Sequence, residues 1–149
     1  MAETLGMLCD KLTIVKLKEY HADNNEKLDS LRQQALILEG EIDTFIADAV
    51  SGAIPPEKLT FAANKVYKKN GNETTAVEGQ IAEIFSQLAD VNCQLWHEVE
   101  KGYDIENIPI KGKDQLIKQL AVLNLQRNQC IDAIDKEFKN LIAKSKTQF

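Results

Sequence analysis

The segment from Thr4 to His21 constrains the fold most, because it is apolar on two faces of a helix. Its two stripes at helical spacing are Leu5, Leu8, Leu12 and Val15, and Met7, Ile14 and Leu17. A helix that is apolar on two faces packs against protein on both sides, so we predict that this one is largely buried. Four polar residues interrupt the stripes: Asp10, Lys11, Thr13 and Lys16. Buried polar groups need partners, so the segment also indicates where a polar site lies.

The rest of the chain is typical of an all-α protein, with only three prolines and seven glycines in 149 residues. Apolar periodicity predicts further helices at about Glu26–Val50, Lys58–Lys69, Thr74 or Thr75 to Tyr103, and Asp114–Lys144. Residues 103–113 are predicted to form a loop, and residues 144–149 a frayed tail. We therefore predict one helical domain over residues 1–149, an antiparallel bundle of about four long helices plus one short helix.

Charge and hydropathy exclude several classes of partner. Acidic residues outnumber Lys and Arg by 23 to 18, giving a net charge of −5, whereas nonspecific nucleic-acid binding needs a basic face. No apolar run reaches the roughly 18 residues that cross a bilayer, and the N-terminus lacks a basic segment typical of secretory signals. We predict a cytoplasmic protein without nucleic-acid or membrane partners. The two longest helices exceed about 35 Å, which favours a homo-oligomer.

The three cysteines lie within helical patterns, so we predict free, buried thiols in a reducing compartment. Cys93 and His97 are four residues apart, a spacing that can bind a metal if Cys9, Cys130 or His21 completes the site. The sequence contains neither CxxC nor HExxH. We therefore predict no metal and no cofactor.

Polar residues also interrupt the apolar stripes of the last two long helices. Asn92 lies among Leu88, Val91, Leu95 and Val99, and Asn124 and Arg127 lie among Leu120, Leu123, Ile131 and Ile134. Arg127 stays charged when buried, so it needs a carboxylate, carbonyl groups or an anion. Asp10 can supply the carboxylate. One interpretation is a buried network that fixes helix register; the other is a pocket for a polar or anionic ligand.

The pocket hypothesis places a site between the first helix and the last two long ones. Its predicted ligand-binding residues are Asp10, Lys11, Thr13, Lys16, Asn92, Trp96, Asn124, Arg127 and Asn128. Lys11 and Lys16 beside Arg127 would make a cationic cluster for phosphate or carboxylate, and Trp96 is either core or a stacking platform. The leading hypothesis is therefore non-enzymatic binding, or sequestration, of a nucleotide or sugar phosphate.

Two other functions stay open at this point. The first is an interaction module whose polar core only sets register. The second is a hydrolase acting on a phosphorylated small molecule, with Glu98, Glu100, Asp132 and Asp135 as candidate acids. Acidic residues at such helical spacings are more typical of a solvated face, which favours a protein without catalysis.

Three segments of the chain carry a recognisable pattern: TLGMLCDKLTIVKLK at 4–18, LADVNCQLWHEVEK at 88–101 and LAVLNLQRNQCIDAID at 120–135. In this order they resemble a family of short uncharacterised bacterial helical proteins with a domain of unknown function. The chain departs from the family pattern after Trp96, where His97–Glu98 stands in place of Glu-Asp. The resemblance implies a cytosolic helical protein, sometimes encoded with surface-polysaccharide genes, and it implies no established activity.

Overall fold

A computed structural model describes residues 2–61 and 77–147, with the side chain of residue 147 excepted. Four long helices make up the fold: α1 (Leu5–His21), α2 (Asn25–Ser51), α3 (Ile81–Gly102) and α4 (Ile110–Thr147). Short 3-10 helices occupy Pro56–Lys58 and Ile105–Asn107, and no strand occurs among the described residues. The predicted all-α helical bundle is confirmed.

Side-chain caps define where the first two helices begin. The Thr4 hydroxyl accepts a hydrogen bond from the Met7 amide at 3.3 Å, and the Asn24 side chain accepts from the Lys27 amide at 2.8 Å. Each satisfies an amide that has no partner within its own helix. Gly52 ends α2 with a φ of 87°, a left-handed conformation that glycine adopts without a steric penalty.

Helix α1 lies at the centre and packs against the other three helices. It forms an antiparallel pair with α2, since Leu8 lies beside Gly40 and Thr44 while His21 lies beside Lys27. Helices α3 and α4 form a second antiparallel pair. The two pairs share one core whose largest fully buried side chains include Phe45, Leu8, Leu59, Leu88 and Ile134. As predicted, α1 is largely buried, with Leu5, Leu8, Cys9 and Val15 in this core.

Several predicted boundaries differ from the structure. Most of the short helix at Lys58–Lys69, and the caps Thr74 and Thr75, lie outside the described residues. Helix α3 begins only at Ile81, with Gln80 preceding its first turn. The predicted loop at 103–113 is wrong in part, because α4 already begins at Ile110.

The early start of α4 has a local cause. Pro109 directly precedes the helix, and its carbonyl accepts from the Lys113 amide at 3.0 Å. Proline has no backbone N–H, so it brings no unpaired amide to the start of the helix. Ile110 is 79% exposed, so this first turn packs against little. The sequence therefore shows no apolar periodicity there that would predict a helix.

The cysteine prediction holds for two of the three residues. All are free; Cys9 and Cys130 are buried, and Cys93 is exposed, which corrects the prediction of three buried thiols. Burial raises the pKa of both Cys9 and Cys130 to about 11, so these thiols stay protonated at neutral pH. None of the described helices has a stretch long and apolar enough to cross a bilayer.

Candidate ligand-binding site

The centre of the site is an ion pair between α1 and α4. Arg127 donates from Nε to Asp10 Oδ1 at 2.8 Å and from Nη2 to Asp10 Oδ2 at 2.5 Å. This two-point geometry matches the guanidinium fork to the carboxylate. The Asp10 side chain is 6% exposed and that of Arg127 31%, and the hydrogen bonds to Asp10 raise the pKa of Arg127. The sequence-based expectation that Asp10 provides the carboxylate for Arg127 is thus met.

Asn92 joins α3 to this pair. Its side-chain amide donates to Asp10 Oδ1 at 2.9 Å and to Thr13 Oγ1 at 2.7 Å. The Thr13 hydroxyl in turn donates to the Asp10 carbonyl at 2.7 Å. Asp10, Thr13 and Asn92 are all buried, so three helices meet through a polar network whose members satisfy one another.

A second buried polar cluster, which was not predicted from the sequence, anchors the start of α1 on α4. Asp135 Oδ1 accepts from the Gly6 amide at 2.7 Å, and the Thr4 hydroxyl also donates to this carboxylate. Burial raises the pKa of Asp135 to about 6, although both hydrogen bonds act in the opposite direction. Asp135 is 3% exposed, which corrects its assignment to a solvated face.

A cavity of about 420 Å³ opens beside the Asp10–Arg127 pair, between α1, α3 and α4. Its polar lining comes from Asn92, Asn124 and Arg127, and its apolar lining includes Leu17, Leu95 and Leu120. Trp96, Glu100 and Tyr103 line the more exposed part, which we call the mouth. A volume of this size is within the range of small-molecule sites.

Trp96 lies between this cavity and a neighbouring one of about 670 Å³ near the α1–α2 connection, and it lines both. Its ring stacks on His21 at a centroid distance of 4.7 Å and an interplanar angle of 11°. The indole Nε1 donates to Glu100 Oε1 at 2.5 Å. These two contacts hold the indole in one orientation.

The structure brings six of the nine predicted ligand-binding residues to this place: Asp10, Thr13, Asn92, Trp96, Asn124 and Arg127. Lys11 and Lys16 are exposed, pair with Glu3 and Glu19, and are not among the residues that line the cavity. The predicted cationic cluster with Arg127 is therefore wrong. The Asn128 side chain donates to the Asn124 carbonyl at 2.8 Å and also does not line the cavity.

The structure also shows where the candidate metal ligands and the candidate acids lie. Within residues 2–61 and 77–147, no three His, Cys, Asp or Glu side chains converge as metal ligands do. Of the four candidate acids, Glu100 lines the cavity. Glu98 pairs with Lys101 at 2.9 Å, and Asp135 holds the start of α1.

Comparison with known proteins gives one distant likeness. No protein-family profile matches the chain, and no solved structure matches it. The chain is similar to a putative replication factor C small subunit, L499, of Acanthamoeba polyphaga mimivirus, at 19% identity over 131 residues. The matched part covers 87% of this chain and 37% of the viral protein, so the chain spans little more than a third of that relative's length.

Proposed function

We propose that this protein binds a small organic molecule, without turnover, in the cavity between α1, α3 and α4. The observation that carries the proposal is the cavity of about 420 Å³, whose lining combines apolar side chains with the polar side chains of Asn92, Asn124 and Arg127. Small-molecule sites combine a mostly apolar wall with a few fixed polar groups in this way. Asn124 and Arg127 supply donors for an acceptor atom of the ligand.

The charge at Arg127 decides which ligands fit. Asp10 already binds one edge of the guanidinium, through Nε and Nη2, and Lys11 and Lys16 pair elsewhere. A phosphate group would meet no cation on the described lining that is free of a carboxylate partner. The nucleotide or sugar phosphate expected from sequence stays a prediction, and we propose a ligand without a phosphate group in its place.

A thermal-shift panel tests this proposal. Purified protein is heated with small aromatic alcohols, amines and carboxylates, and with AMP and glucose 6-phosphate. A ligand that binds the folded state raises the midpoint of unfolding as its concentration rises. The proposal predicts such a rise for at least one phosphate-free compound. It fails if no compound gives one, and a rise with AMP or glucose 6-phosphate alone contradicts the choice of a phosphate-free ligand.

A matched pair of variants locates the binding. Leu120→Phe places a larger side chain in the cavity lining. Ile117→Phe makes the same kind of change at a position on α4 that is 60% exposed and outside the lining. The shift is expected to vanish in Leu120→Phe and to persist in Ile117→Phe.

A second function, an interaction module with a polar core that sets register, has its own support. The groups of Asp10, Thr13, Asn92 and Arg127 satisfy one another without any ligand. The viral relative is named as a subunit, a protein that works in an assembly. Under this alternative, Leu120→Phe leaves function in the cell intact while Arg127→Ala impairs it through folding.

A further inference from the structure

We propose that the ligand carries a positively charged amine, and that Glu100 at the cavity mouth binds it. This inference rests on the proposed function, since it names the class of molecule that the same cavity takes. It follows from the position of Glu100, from the balance of charge around the cavity and from the aromatic rings beside this carboxylate.

Glu100 has a carboxylate oxygen to offer. Its Oε1 accepts from Trp96 Nε1 at 2.5 Å, while Lys101, the next residue, pairs with Glu98. No ion pair to Glu100 occurs among the described residues. The second oxygen can therefore accept a charge-assisted hydrogen bond from an ammonium group.

The charges around the cavity favour a cation. Glu100 and Arg127 are the oppositely charged members of the lining, and Asp10 lies directly behind Arg127. These three groups sum to one negative charge at neutral pH. An ammonium at the mouth brings that sum to zero, whereas a carboxylate or phosphate makes it more negative.

Two aromatic side chains accompany Glu100 at the end of α3. Trp96 lies one turn before Glu100 on the helix, Tyr103 directly follows the last helical residue, and all three line the mouth. Tyr103 is 81% exposed, so its ring is available to a ligand. A ring and a carboxylate side by side are a favourable environment for an amine.

The apolar lining indicates the chemical character of the rest of the ligand. Leu17, Leu95 and Leu120 line the same cavity as Glu100, Asn124 and Arg127. A ligand that fills this space has an apolar or aromatic body and an amine at one end. Apolar contact supplies affinity in proportion to the area buried, and the amine gives selectivity.

Isothermal titration with three probes of one shape tests the inference. The probes are 2-phenylethylamine, which is cationic, 2-phenylethanol, which is neutral, and 3-phenylpropanoate, which is anionic. We expect the amine to bind most tightly and the carboxylate least. Glu100→Gln keeps the acceptor for Trp96 and removes the charge, and it is expected to weaken amine binding about tenfold without changing the binding of the alcohol.

Asp90→Asn is the matched control, because Asp90 is an exposed acid on the same helix and outside the cavity lining. It is expected to leave all three affinities unchanged. Tightest binding of the carboxylate, or equal binding of the amine to wild-type protein and Glu100→Gln, overturns the inference and leaves the proposed function standing. If none of the three probes, nor any other compound of the thermal-shift panel, binds, the proposed function fails and the inference fails with it.

Discussion

Arg127 on α4 and Asp10 on α1 are 117 residues apart in the chain and form a two-point ion pair with distances of 2.8 and 2.5 Å. The pair does two things at once. It ties the central helix to the longest one, and it removes most of the attraction that Arg127 would have for an anionic ligand. The local charge of the cavity therefore differs from what Arg127 alone suggests.

The pair makes a first prediction about stability. Arg127→Ala leaves the buried Asp10 carboxylate with Asn92 as its remaining side-chain donor, so we expect a loss of about 2 kcal/mol in the free energy of unfolding, less than for a fully buried pair because Arg127 is partly exposed. Urea denaturation measures it. Asp10→Asn combined with Arg127→Ala is expected to lose less than the sum of the two single changes. An additive result would show that the pair contributes nothing to the fold.

A second prediction concerns the close approach of α1 to α4 at Gly6. A Cβ at this position would contact the Ile131 carbonyl oxygen and would lie 2.9 Å from Asp135 Oδ1. Gly6→Ala is therefore expected to lower the free energy of unfolding by about 3 kcal/mol. Gly40→Ala is the control, because a Cβ there meets nothing within 4 Å and alanine favours the helix by about 1 kcal/mol. Equal effects of the two substitutions would contradict the packing described.

A third prediction uses the pH dependence of Asp135. Its pKa of about 6 in the folded protein lies above the unfolded value, so the carboxyl group adds stability at low pH and loses it as pH rises through 6. Asp135→Asn removes this dependence. The measured quantity is the free energy of unfolding of wild-type protein minus that of Asp135→Asn. This difference is expected to fall by about 1 kcal/mol from pH 5 to pH 8.

Taking the difference between wild type and Asp135→Asn at each pH cancels the other titrating groups, because both proteins contain them. Asp90→Asn, at an exposed position, should track wild type across the same range. A constant difference between wild type and Asp135→Asn would show that Asp135 ionises normally in the folded protein.

A fourth prediction separates the roles of the two polar residues beside Asp10. Thr13→Val keeps the shape of the side chain but removes both hydrogen bonds of its hydroxyl, at an expected cost of about 1 kcal/mol. Asn92→Leu removes two donors from buried acceptors, and it is expected to cost about 2 kcal/mol. Thermal unfolding of the two variants shows which substitution costs more stability. A larger loss in Thr13→Val than in Asn92→Leu would place the centre of the network at Thr13.

The sequence was sufficient to predict the four long helices and to bring Asp10, Asn92 and Arg127 together in one polar site. Polar residues at core positions of three apolar stripes need hydrogen-bonding partners. Because each stripe faces the shared core, these residues are expected to meet one another there. Lys11 and Lys16 were misplaced because residues one and six positions after Asp10 lie roughly 100° and 120° away from it around a helix. They therefore face solvent and pair with Glu3 and Glu19.

The Asp135 cluster also has a signal in the sequence. Asp135 follows Ile131 by four residues and precedes Phe138 by three, which places it on the buried stripe of α4. Gly6 also stands in an apolar helix where alanine would be favoured, which indicates a close approach. The cavity has no such signal, because its shape depends on how far α1, α3 and α4 stand apart, and no residue pattern reports that distance.

The predicted homo-oligomer and the family resemblance stay predictions. Exposed apolar residues on α2, such as Leu36, Ile37 and Val50, agree with either a monomer or an assembly. Size-exclusion chromatography with light scattering measures the mass in solution directly. A mass of twice the chain's 16.7 kDa or more is expected if the sequence-based expectation holds.

The central claim is that the space beside Trp96 takes a ligand. Trp96 is the one tryptophan of the chain and lines the cavity, so its fluorescence reports occupancy without a label. Titration with 2-phenylethylamine is expected to change this fluorescence saturably in wild-type protein and in Ile117→Phe, but not in Leu120→Phe. A saturable change that persists undiminished in Leu120→Phe, or no change in wild-type protein, would contradict the account.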